Sequence, residues 1–116
     1  MEQGKKFDQG KPNWALLPME AINDVVKVLT FGATKYGKGN WKHLDDWEDR
    51  YFAAVMRHLE SWQSGERLDS ESGLPHLAHA ATNLIFMLWF SKHRAKIVEK
   101  SKNNFNSVFD LTNFGA

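Results

Sequence analysis

The chain contains no cysteine, which excludes a disulfide framework, a thiolate nucleophile and a cysteine-ligated zinc ribbon. It also lacks a dominant charge sign. Fifteen Lys and Arg stand against fourteen Asp and Glu, for a formal net charge of +1 at pH 7. That field is too weak to argue for extended nucleic acid or an anionic membrane as the main partner. The longest apolar run, Leu84-Ile-Phe-Met-Leu-Trp-Phe90, falls far short of the roughly 20 residues that span a bilayer, and reads as core. The Met-Glu-Gln-Gly-Lys-Lys start is no signal peptide, so a cytoplasmic protein is expected. No segment alternates apolar and polar residues with period two, and no glycine-rich phosphate loop or Ser/His/Asp set is present.

What the chain does have is aromatic mass: five Trp and eight Phe in 116 residues. Aromatics bring large buried area per residue, enough here for a compact core or a subunit interface. The length suits one domain over residues 1–116. Lys5 to Pro18 mixes charge, Gly and Pro with Phe7, Trp14, Leu16 and Leu17, and reads as an extended arm with apolar anchors. Pro18 at a first-turn position and Glu20 behind it predict a helix over about residues 18–35, with Ala21, Ile22, Val25, Val28 and Leu29 at helical spacing. Gly37 to Leu44 reads as a loop carrying Asn40 and Trp41. Asp45-Asp-Trp-Glu48 matches a capping box and predicts a second helix over about residues 45–64. Its apolar face is Tyr51, Phe52, Val55, Met56, Leu59 and Trp62. Pro75 opens a third helix, expected over about residues 75–98, and the stretch from Asn103 to Ala116 carries enough Phe, Val and Leu to dock on its own domain or on a second subunit. The fold expected is all-α, a bundle of three principal helices.

The third helix is apolar almost all the way round from Leu77 to Phe90, so its polar residues carry information. His76, His79 and Asn83 share one face, within about 60° on the helical wheel. Acids lie close in sequence: Glu60 on the second helix, Asp69 and Glu71 in the loop. Imidazoles and carboxylates are usual ligands of divalent metals, which makes Glu60, Asp69, His76 and His79 a candidate metal set. The alternative is that His76 caps the helix and His79 is a hydrogen-bonded core residue. Arg57 is either an intrahelical partner of Glu60 or a phosphate-binding fork. Lys6, Lys11 and Lys35 are further phosphate candidates. Tyr36, Asn40 and Trp41 form either a base-binding wall or a packed loop with Trp41 as its plug.

Three phrases go beyond these generalities: Lys6-Phe-Asp-Gln-Gly-Lys-Pro-x-Trp-x-Leu-Leu-Pro18; Leu29-Thr-Phe-Gly-Ala-x-Lys-Tyr-Gly37 with Asn40-Trp41; and Arg57-His-Leu, Gly65-Glu and Asp69-x-Glu-Ser-Gly-Leu-Pro-His-Leu-Ala-His-Ala80 with Asn83. Together, over about residues 5–90, the chain resembles the phage-borne domain named for the N-terminal part of dATP/dGTP diphosphohydrolases. The resemblance implies an all-α fold near the MazG-like nucleoside triphosphate pyrophosphohydrolases, which usually dimerise and use magnesium to cut a triphosphate into monophosphate and pyrophosphate. On that basis the expected activity is hydrolysis of purine (deoxy)nucleoside triphosphates, with a divalent metal, Mg or Mn, as cofactor. The expected partners are a small-molecule nucleotide and a second copy of the chain, in the host cytoplasm if the chain is phage-encoded. Glu60, Asp69 and Glu71 are the catalytic candidates. Lys11, Lys35, Tyr36, Asn40, Trp41, Arg57 and Asn83 are the substrate-binding ones. The chain departs from the MazG-like pattern, in which paired acids one turn apart hold the metals: Arg57 stands one turn before Glu60, and histidines stand on the next helix. Two readings therefore compete with hydrolysis: a protein that binds a nucleotide or nucleotide signal without turnover, and a helical protein that grips a host partner.

Overall fold

The computed structural model describes residues 3–105, with side chains described for residues 3–94. Three α-helices carry the fold: α1 Met19–Tyr36, α2 Trp47–Gln63 and α3 His76–Phe105. Two short 3-10 turns, Trp14–Leu16 and Asn40–His43, precede α1 and α2. The described residues hold no β-strand, only an isolated bridge between Leu68 and Pro75. The all-α expectation is met. No helix among the described residues is long and apolar enough to cross a membrane.

Local chemistry accounts for the helix ends. The Pro18 carbonyl accepts the N–H groups of Ala21 and Ile22 at 3.0 and 3.1 Å. Gly37, at φ +97°, ends α1 by donating to the Ala33 carbonyl, a turn conformation that glycine adopts without steric cost. The start of α2 differs from expectation. Asp46 is the cap residue, in the left-handed region at φ +54°, and no side-chain cap bond forms. The Asp45 to Glu48 capping box is therefore not built, because such a cap needs its first residue extended so that its oxygen can turn back on the helix N–H groups. Glu48 and Asp49 still place negative charge in the first turn, where the helix dipole favours it. Helix α3 runs past its expected end at about residue 98 to Phe105.

The main packing is α2 against α3. Tyr51 near the start of α2 meets Phe86 and Phe90 far along α3, whereas His58 near the end of α2 meets His76 and His79 at the start of α3. The two helices are therefore antiparallel. Helix α1 crosses α3, with Phe31 set edge-on to the His79 ring at 6.3 Å. Val25 and Val28 of α1, Tyr51 and Val55 of α2, and Ala78 and Ala80 of α3 form the buried apolar core. An aromatic cluster closes one end: Trp41 stacks on Phe86 at 4.3 Å, Trp47 stacks on Phe90 at 4.7 Å, and Trp89 meets Trp41 edge-on. The Tyr51 hydroxyl donates to the Trp41 carbonyl at 2.7 Å and ties the loop to α2.

The N-terminal arm corrects one expectation. Phe7 and Trp14 are 86% and 78% exposed, and Leu16 is exposed as well, so these residues do not anchor the arm to the helices. Its local order comes from within, through Asn13, whose side-chain oxygen accepts the Ala15 N–H. The tail expected to dock, Asn103 to Ala116, lies outside the described residues beyond Phe105.

Candidate active site

The site grows out of the twelve residues, 64–75, between α2 and α3. Asp69 organises them. Its Oδ2 accepts the N–H groups of Glu71 and Ser72 at 3.1 and 2.9 Å, its own N–H donates to the Leu74 carbonyl, and its carbonyl accepts the Gly73 N–H. Gly73 sits at φ +72°, where a Cβ would strain the backbone. The Ser72 hydroxyl accepts the Leu74 N–H, and the His76 N–H donates to the Arg67 carbonyl. This closed set of bonds fixes Asp69 beside the first turn of α3.

There it meets three imidazoles. His58 Nδ1 and His76 Nδ1 face each other at 2.8 Å. His76 Nε2 lies 3.0 Å from the Glu66 carboxylate. His79 Nε2 lies 2.7 Å from the Ser72 hydroxyl and 3.9 Å from Asp69 Oδ2, and its ring stacks on that of His58 at 4.6 Å and 10°. His58, Asp69 and His76 each present a ligand atom within 4.8 Å of the others. Burial lowers the pKa of His58, and the neighbouring His79 and His76 lower it further. Burial also lowers that of His79, against the opposing pull of Asp69. Both imidazoles are therefore neutral at pH 7, the form in which nitrogen ligates a metal. For Asp69, burial opposes ionisation, but the Ser72 N–H and hydroxyl outweigh it and hold the carboxyl below its usual value.

This cluster forms one end of a cleft of about 800 Å³ between α1, α2 and α3, a size that suits a small-molecule ligand. Helix α2 lines it with Arg50, Tyr51, Ala54, Arg57 and His58, and α3 with His79, Thr82, Asn83 and Phe86. These are helical spacings, so one face of each helix is given over to the cleft. Asn83 Nδ2 donates to the His79 carbonyl, which leaves its side-chain oxygen as a free acceptor in the wall. Lys35, Tyr36, Asn40 and Trp41 complete the rim.

Most of the expected residues meet here. Asp69, Glu71, His79, Lys35, Tyr36, Asn40, Trp41, Arg57 and Asn83 all border the cleft, with His76 buried at its cluster end. Two do not. Glu60 is exposed and outside both cleft and cluster, because two residues on a helix put it about 200° round from His58. It forms no ion pair with Arg57 among the described residues. Lys11 is exposed on the arm, away from the cleft. Lys35 is ion-paired with Glu71, so the two rim charges engage each other. Trp41 stacks on Phe86 and serves as the plug of its loop as well as part of the wall. His58, Arg50, Glu66 and Ser72 were not among the candidates. The sequence did carry a signal for His58, which follows Tyr51 and Val55 at i+7 and i+3 and so falls on the buried stripe of α2.

Residues 1–100 match the protein family described as dATP/dGTP diphosphohydrolase, N-terminal. The chain belongs to that family. Over 91 residues it is 40% identical to a protein of Salmonella phage PMBT28 named dATP/dGTP diphosphohydrolase. The match covers 78% of this chain and 31% of the phage protein, so the chain spans about a third of that relative's length. No solved structure matches.

Proposed function

We propose that the cleft binds a purine deoxynucleoside triphosphate and supports its hydrolysis to monophosphate and pyrophosphate, as a homo-oligomer in the host cytoplasm. The observation that carries the reading is one cleft joining two arginines on α2, Arg50 and Arg57, to an imidazole–carboxylate cluster. The name of the phage relative supports the same chemistry. Guanidinium forks suit phosphate oxygens, and Arg57 precedes His58 directly, so phosphates held by it lie beside the cluster. The Tyr36, Asn40 and Trp41 rim then offers an aromatic face and an amide to the base.

A divalent cation would be held by Asp69 with the imidazoles of His58 and His76, where it would polarise a phosphate and acidify a water. Of the two ions that the family resemblance implies, the converging imidazole nitrogens and carboxylate suit manganese better than magnesium. The remaining work falls to the chain. Arg57 and Arg50 neutralise charge on the departing pyrophosphate. An incoming phosphate competes with Glu71 for Lys35, which releases the Glu71 carboxylate to take a proton from water. Asp69, held at low pKa, is a weak base and better suited to holding charge.

Incubation of the pure protein with dATP, dGTP, ATP and GTP, each with magnesium or manganese, while pyrophosphate is followed, tests the reading. Turnover that falls sharply in Arg57→Ala is expected. Absence of turnover with every nucleotide at protein concentrations near substrate refutes hydrolysis; nucleotide-dependent stabilisation in the same samples then leaves binding without turnover as the function.

A further inference from the structure

We propose that His58, His76 and Asp69 form a resident site for a single nitrogen-preferring transition-metal ion, with Zn2+ and Co2+ bound more tightly than Mn2+ and all of them far more tightly than Mg2+. The inference concerns the same end of the cleft as the proposed hydrolysis but rests on metal binding alone.

The tautomers come first. The Glu66 carboxylate beside His76 Nε2, at 3.0 Å, accepts the proton on that nitrogen and leaves His76 Nδ1 with its lone pair. That lone pair points at His58 Nδ1, 2.8 Å away, and accepts the proton there; a cation would take the proton's place once His58 carries its hydrogen on Nε2 instead. Glu66, His76 and an ion would form a carboxylate–histidine–metal relay, the arrangement that usually fixes a metal-binding imidazole. Two nitrogens on one tetrahedral zinc stand about 3.3 Å apart, from Zn–N bonds of about 2.05 Å. Opening the pair by roughly half an ångström is enough. Asp69 Oδ2 is occupied by two backbone N–H groups, which leaves Oδ1 to ligate. His79 is not in the set: its Nε2 engages the Ser72 hydroxyl, and its ring braces His58 by stacking.

The donor set decides the ion. Magnesium seeks an octahedral shell of oxygens, keeps most of its waters and has little use for imidazole. Two imidazoles and one carboxylate suit zinc and its neighbours, and three protein ligands leave a position open to the cleft. Two neutral rings and one carboxylate around a dication leave one net positive charge facing the triphosphate. Magnesium would then arrive with the nucleotide, bound to its phosphates.

The test is calorimetry on tag-free, chelator-stripped protein without nucleotide, titrated separately with Zn2+, Co2+, Mn2+ and Mg2+, with the visible spectrum of the Co2+ form as a second readout. The expected results are one Zn2+ or Co2+ per chain, intense Co2+ bands of a nitrogen-ligated low-coordinate site, and no heat from Mg2+ at the same concentration. His58→Gln should weaken zinc binding by at least about 100-fold, and Glu66→Gln, which acts only through His76, by about 10- to 100-fold. His43→Gln and His93→Gln, outside the cluster, should bind as the parent does. Equal affinity for Mg2+ and Zn2+, unchanged zinc affinity in folded His58→Gln, or a Co2+ spectrum like that of the hexaaqua ion would overturn the proposal. Zinc bound at the site with no nucleotide turnover would refute hydrolysis and leave the metal site standing. Turnover with magnesium in protein that takes up no zinc would do the reverse.

Discussion

Replacing Asp69 separates the two roles that the structure gives it. In Asp69→Ala the N–H groups of Glu71 and Ser72 lose the carboxylate they donate to at 3.1 and 2.9 Å. A hydrogen bond to a charged acceptor is worth about 1.5–3 kcal/mol. One of these two bonds is exposed and can exchange for water, so the loss is close to that of the other alone, about 1.5–3 kcal/mol. For a domain of this size that lowers Tm by roughly 10 °C. Asp69→Asn keeps an oxygen in the same place and retains most of the turn, and its loss should stay below about 1 kcal/mol. Both variants lose the negative charge that the cluster presents. Thermal melts in chelator read the first effect, and melts with added zinc or manganese read the second. Expected is an Asn variant that melts near the parent without metal yet gains little when metal is added, beside an Ala variant that is weak in both. If the Asn and Ala proteins melt together in chelator, the carboxylate does not organise the loop. If the Asn protein gains as much from metal as the parent, Asp69 is no ligand.

The remaining expectations concern protonation, phosphate binding, the loop glycine and assembly. His58 and His79 hold their protons less readily than in an unfolded chain, first because they are buried. The unfolded state therefore takes up protons that the folded state refuses, and metal-free stability, full above about pH 6.5, should fall as the pH drops below that value. Asp69 adds a separate loss below about pH 4, since its folded pKa is depressed. A metal-free denaturation midpoint that stays flat from pH 7 to 5 contradicts this. Arg50→Ala and Arg57→Ala should each weaken triphosphate binding by roughly tenfold, from a charged hydrogen bond of about 1.5 kcal/mol, and should affect monophosphate much less; equal losses for both ligands in a calorimeter would remove them from the phosphate site. Gly73→Ala places a Cβ at φ +72°, where the left-handed conformation costs about 1–2 kcal/mol, a loss readable by urea denaturation. Leu84, Ile85 and Leu88 on α3 are about half exposed, as are Phe52 and Met56 on α2. Light scattering should show a homo-oligomer that Leu88→Glu shifts towards monomer while the far-UV circular dichroism holds.

The helices were legible because their signals are local. Pro18, Gly37 and Pro75 mark ends by backbone chemistry alone, and the stripe of Val25 and Val28 repeats at helical spacing. The start of α2 was less so: Asp45-Asp-Trp-Glu48 has the letters of a capping box, but the letters do not record that Asp46 turns left-handed. The arm misled for a related reason, since Phe7 and Trp14 are apolar yet stay exposed, and apolar character alone does not say what a side chain rests on.

At the site, the division falls between one helix and two. His76, His79 and Asn83 share a face of α3, and their common direction follows from spacing. Which acid or imidazole faces them depends on the phase of α2 against α3, and the sequence holds that phase only through its buried stripe. Glu60 was a candidate as an acid on α2 that could ligate a metal, yet charge says nothing of phase. Tyr51, Val55 and His58 lie on one line, and Tyr51 and Val55 are buried, so the residue turned towards α3 is the histidine. A polar residue that interrupts a buried stripe must find a partner across the interface, because its unpaired burial is costly. On α2 that rule selects His58, and on α3 it selects His76 and His79. The antiparallel packing then brings the selected residues together, at the end of the cleft where the Asp69 turn closes.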